Sequence, residues 1–131
     1  MKIAILISRI LLGMGFFVFG LNILHPFLTA PPPPEGSLVA QFIAVMVPSH
    51  WMALVGVVQL LGGLFVLAGR TAPLGLVLLG PVLVNILAFH ICLEGGHGIA
   101  PGIVFSALEI FLIYAYRSYF RAIFTASALP T

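Results

Sequence analysis

Four stretches of this sequence, about residues 3–24, 50–69, 73–93 and 101–121, are each apolar over the roughly 20 residues that a helix needs to cross a bilayer. Backbone groups in hydrocarbon have no water to bond, so a crossing segment must satisfy its N–H and C=O groups internally. Four crossings therefore mean four helices. A barrel would need alternating segments of about ten residues, and none of the four alternates. Composition agrees: 62% of the 131 residues are apolar and only 6% are charged. Soluble domains run nearer half apolar and a quarter charged. A chain this small has too little interior to hide that much hydrocarbon from water, so lipid has to cover it. The fold class expected is all-α: a polytopic, four-helix membrane bundle forming a single domain over residues 1–131.

The few charges are informative. A net charge of +2 is too thin for a nucleic-acid surface. One cysteine, Cys92, excludes an intrachain disulfide, a CxxC pair and a Cys-rich zinc site. Four spans put both termini and the link around Arg70 on one side, and all five basic residues (Lys2, Arg9, Arg70, Arg117 and Arg121) fall on or towards it. The other two loops hold Glu35 and Glu94 and no Lys or Arg. That split predicts cytoplasmic termini. Trp51 and Tyr119 belong at opposite interfaces. Lys2 and the following apolar run resemble a secretory signal, but Arg9 interrupts the run and no clean cleavage site follows. The expectation is a retained first span.

The links carry helix-end signals. Gly69 to Pro73 reads as a tight turn with a proline near the next helix start, and Glu94 to Gly98 ends the third span. The longest link, 25–49, opens with Pro26 and the run Pro31 to Pro34, which belongs in extended polyproline II. After it, Ser37 is placed to cap a short helix over 37–47, whose Leu38, Phe42 and Met46 recur at helical spacing. It is too short to span, and is expected to lie at the interface or to fold back as a re-entrant lid on the bundle. A short tail, 122–131, closes the chain.

Several motifs together resemble the DoxX family of small bacterial membrane proteins, in its DoxX-like branch. They are Arg9-Ile10-Leu11-Leu12-Gly13, Phe19-Gly20-Leu21-Asn22 before the proline-rich loop, Gly56 to Gly63 with its Gly62-Gly63 pair, Pro81 to His90 with Val84-Asn85-Ile86-Leu87-Ala88-Phe89-His90, and the closing Tyr114-Ala115-Tyr116-Arg117. The family often has Glu where this chain has Gln59. Its name comes from a quinone-linked sulfur-oxidising complex, and other members accompany membrane redox complexes. The resemblance thus implies an accessory or anchor subunit beside an oxidoreductase partner, with a quinone-like or lipid-like ligand.

Polar side chains inside lipid are costly, which makes them candidate functional residues. At about 1.5 Å per residue, Gln59 lies about 13 Å below His50, Asn85 about 12 Å below Leu93, and Glu109 about 12 Å below Pro101. Three helices thus present a hydrogen-bonding side chain at one level, with Ser106 on the face of Glu109. A carboxyl there must face the bundle and find donors or carry its proton, and Gln59 and Asn85 are the donors expected. Two readings stand side by side: a pocket for a headgroup, ring or proton, and a set of interhelical bonds that holds register. Arg9 shares a face with Gly13 and Gly20, and either serves the site or snorkels to lipid phosphate. Asn22 and His90 complete the candidate cluster. The four histidines match no short metal or haem motif, so no metal is expected.

Two functions follow. One is the accessory membrane subunit of a redox or stress-response complex, not a self-contained enzyme, since no catalytic triad, phosphate loop or dinucleotide fingerprint occurs. The other is a small transporter or carrier of a lipophilic ligand that uses the layer around Glu109. Membrane lipid, a partner oxidoreductase subunit and a second copy of the chain are the partners to consider.

Overall fold

The computed structural model describes residues 1–125 and 129–130. The expected tail falls partly on residues 126–128 and 131, which lie outside the described residues. Among the described residues six helices follow in order: α1 (Lys2–Leu24), α2 (Leu38–Met46), α3 (Trp51–Ala68), α4 (Ala72–Cys92), α5 (Ala100–Ala115) and α6 (Arg117–Phe120). α1, α3 and α4 are long and apolar enough to cross a membrane. The protein is all-α, with the several long apolar helices of a polytopic membrane bundle.

Local chemistry sets most of the helix ends. The Ser37 hydroxyl accepts from the Ala40 N–H at 3.1 Å and caps α2. Prolines occupy the first turns of α4 and α5, where a missing N–H leaves no bond unmade. α5 is shorter than the fourth span expected over residues 101–121. At 16 residues it covers about 24 Å, short of the roughly 30 Å hydrocarbon core. The apolar run continues, but the helix breaks at Tyr116 and resumes as the four-residue α6.

Packing follows the small residues. α1 and α3 run antiparallel at backbone contact: a Cβ on Gly63 would lie 2.6 Å from the Gly13 carbonyl oxygen, and one on Gly20 would lie 2.6 Å from the Leu60 nitrogen. The same device joins α3 to α4, where a Cβ on Gly75 would meet the Gly62 carbonyl at 2.7 Å. Between helices in lipid, such close approach is the main attraction available, because the hydrophobic effect adds little there. Phe105 of α5 closes the ring against α1, its centroid 5.5 Å from Phe16 and 6.1 Å from Phe19. Leu12, Phe16, Val66, Leu76, Leu79 and Leu112 are fully enclosed between the four long helices. This antiparallel order brings Lys2, Arg9, Arg70, Arg117 and Arg121 to one end, and Glu35 and Glu94 to the other.

Candidate functional site

At the acidic end, a cavity of about 640 Å³ opens between α3 and α4 beneath α2. Met52, Val55 and Gln59 line it from α3 at spacings of three and four. Val82, Asn85, Ile86 and Phe89 line it from α4 with the same period, and Leu93 continues the stripe just past the helix end. α2 roofs it: the Phe42 ring meets Phe89 edge-on at 5.3 Å, with Met46 beside it and Trp51 at the rim. The expected inward face of α2 is therefore carried by Phe42 and Met46, whereas Leu38 is exposed. A second hollow, of about 580 Å³, separates Pro31 to Pro34 from α2 and the end of α4.

Two amides serve the larger cavity. Gln59 is almost wholly enclosed, at 5% exposure. Asn85 is exposed on the cavity side, and its amide donates to the Pro81 carbonyl of its own helix at 2.9 Å. His90 stands nearer the mouth. Its Nδ1 faces both the Glu94 carboxylate and, at 3.0 Å, the His97 carbonyl. Both partners are acceptors, so this nitrogen carries the ring proton. The His90–Glu94 pair and the bond from the Gly96 N–H to the His90 carbonyl at 2.7 Å tie down the α4–α5 turn.

The single polar layer predicted from helix depth is not assembled. Glu109 faces the bundle interior at 4% exposure, but neither carboxyl oxygen has a hydrogen-bond partner, so no bond to Gln59 or Asn85 exists. Ser106 Oγ is likewise unpartnered. Arg9 is neither paired with Glu109 nor extended towards phosphate. Its Nε donates to the Val66 carbonyl at 3.0 Å and its Nη2 to the Leu67 carbonyl at 2.7 Å, closing the end of α3. Asn22 turns the chain out of α1, accepting from the Phe27 and Leu28 N–H groups at 3.0 and 2.7 Å. The seven candidates thus divide into a cavity set (Gln59, Asn85 and His90), a buried pair (Ser106 and Glu109), and two structural ties (Arg9 and Asn22).

The aromatic roof was not anticipated as part of a site. Its signal was the run Val82, Asn85, Ile86, Phe89 and Leu93, which reads as a continuous stripe on the third span. Among the described residues, no three His, Cys, Asp or Glu side chains come together as a metal site. Comparison with known proteins found no matching family model, curated protein or solved structure.

Proposed function

We propose that this chain is a four-span, DoxX-like protein of the bacterial cytoplasmic membrane that holds a neutral, ring-bearing lipophilic ligand, quinone-like or lipid-like, under α2. It serves as an accessory or anchor subunit beside an oxidoreductase. α1, α3, α4 and the shorter α5 are the spans, α2 lies at the outer interface as a lid, and both termini are cytoplasmic. The gathering of all five basic residues at the end bearing the N-terminus supports that orientation.

The observation that carries this reading is the cavity itself. Its volume falls in the range of roughly 300–1,000 Å³ typical of small-molecule sites. Its walls combine aromatic and aliphatic side chains with two amides on facing helices, and none of its lining residues is Lys, Arg, Asp or Glu. Such a lining suits a planar ring with carbonyl or hydroxyl groups and leaves a charged headgroup without a counter-ion. The redox association rests on the sequence resemblance.

Trp51, the only tryptophan, stands at the cavity and supplies the test. A short-chain benzoquinone titrated into the detergent-solubilised protein should quench Trp51 fluorescence saturably. Gln59→Leu removes one amide partner, worth about 1 kcal/mol, and should weaken binding several-fold. Quenching that rises linearly and is unchanged in Gln59→Leu would defeat the proposal. Mass spectrometry of molecules and subunits that copurify in mild detergent tests the accessory role directly.

A further inference from the structure

The carboxyl buried in the bundle is not part of the outer cavity. Ser106 and Glu109 stand three residues apart on one face of α5. Ser106 Oγ and both carboxyl oxygens of Glu109 are buried without any hydrogen-bond partner. Three unpartnered polar atoms within one helical turn are an unusual expense beside a hydrophobic cluster of Leu, Phe and Val. Across from them stands Gly80 of α4, where even an added Cβ would remain 3.8 Å from Oε1.

No cation answers this carboxyl. The titratable side chains of α4, His90 and Cys92, lie near its acidic end, and α3 has none. Lys2 and Arg9 of α1 lie at the basic end, and the Arg9 guanidinium is engaged at Val66 and Leu67. On α5 itself Tyr114 is exposed, Tyr116 follows at the helix end, and Arg117 of α6 donates to the Tyr114 carbonyl. A divalent metal ion would want about six oxygen ligands, and three side-chain oxygens fall well short of that.

We propose that Glu109, with Ser106 beside it, is a proton-binding site inside the bundle, reached by water that hydrogen-bonds to both side chains. Loading brings one proton from hydronium in solution, relayed through that water, to a carboxylate oxygen and leaves water behind; unloading returns the proton by the same route, and nothing is oxidised or reduced. The site is separate from the outer cavity and stands whether or not that cavity binds a ring.

The test is covalent. The full chain in liposomes is treated with dicyclohexylcarbodiimide, an apolar reagent that adds to a protonated carboxyl, over a range of pH. The modified side chain is then located by peptide mass spectrometry. Glu35, Glu94 and Glu109 are the only acidic side chains, so assignment is direct. The expected result is labelling of Glu109 that slows as pH rises, while a water-soluble carbodiimide with an amine nucleophile modifies Glu35 and Glu94. Glu109→Gln removes the apolar label, and the peptide map of the parent makes the same assignment should that variant fail to fold. An unlabelled Glu109 at every pH would overturn the proposal, as would a rate indifferent to pH. Protection by sodium at constant pH would also overturn it, in favour of a metal cation.

Discussion

Arg9 reaches across 57 positions of sequence to donate its Nε hydrogen to the Val66 carbonyl at 3.0 Å. With the bond from Nη2 to the Leu67 carbonyl, one guanidinium serves two of the last carbonyls of α3, the first of which also accepts from the Gly69 N–H at 3.3 Å, and the helix dipole there also favours a positive charge. Gly69, at φ +78°, gives the chain a left-handed exit and has no side chain to displace the guanidinium. Arg9→Met should therefore lower stability in detergent by about 2 kcal/mol, the scale of hydrogen bonds to a charged group. Arg9→Lys should recover only part of it, because an ammonium lacks the planar fork. Thermal unfolding of the two variants checks this, and an Arg9→Met protein as stable as the parent would show that the two bonds contribute nothing.

The glycines of the α1–α3 contact make a sharper comparison. An alanine methyl at Gly63 or Gly20 would meet backbone atoms at 2.6 Å, which no side-chain adjustment relieves. Gly63→Ala and Gly20→Ala should each cost about 1–3 kcal/mol by forcing the helices apart. Gly80→Ala meets nothing closer than 3.8 Å and should be neutral, or slightly stabilising through helix propensity. Equal unfolding temperatures for all three would remove the close-packing argument.

These contrasts show where sequence reasoning reached its limit. Helix ends were legible because their causes are local: Ser37 before α2, Pro73 and Pro101 at the starts of α4 and α5, Gly69 after α3. The inward turn of Glu109 was legible too, since lipid leaves a carboxyl no alternative. Rise per residue gives depth but not azimuth, so the shared level of Gln59, Asn85 and Glu109 did not show that Asn85 faces the cavity while Glu109 faces the core. The acceptors for Arg9 are backbone carbonyls, which no side-chain pattern marks. The break at Tyr116 was hidden because neither Gly nor Pro accompanies it.

The lid predicts a local effect. Phe42 and Phe89 meet edge-on, an arrangement worth about 0.5–1.5 kcal/mol beyond the area it buries. No residue of α2 is fully buried, so α2 depends on a few such contacts. Phe42→Ala should speed amide hydrogen exchange across Leu38–Met46 while leaving α1, α3 and α4 protected. Exchange that rises throughout the bundle would mean that α2 is part of the core and not a lid.

Orientation can be read by cysteine labelling in a Cys92→Ser background, since Cys92 is itself exposed. Glu35→Cys and Thr71→Cys report opposite ends of the bundle. An impermeant maleimide on intact cells should modify the first and spare the second. Modification of Thr71→Cys with none at Glu35→Cys would place the termini outside.

The last prediction separates a stabilising Glu109 from a working one. Its two oxygens are buried without a partner in the protein, so the side chain contributes desolvation with no compensating bond from the bundle. Leucine is close in size, and fills the same space against Gly80 and the leucine core with hydrocarbon. Glu109→Leu should therefore raise stability in detergent by about 1–3 kcal/mol, the usual penalty of an unsatisfied buried polar group. Glu109→Gln keeps the polarity and should stay near the parent. The two variants should be alike in losing whatever depends on the proton. A thermal melt distinguishes the cases: if Glu109 holds the bundle together through bonds, leucine lowers the unfolding temperature and glutamine largely spares it. If leucine raises it, this carboxyl is retained against stability, which is what a residue kept for its chemistry should show.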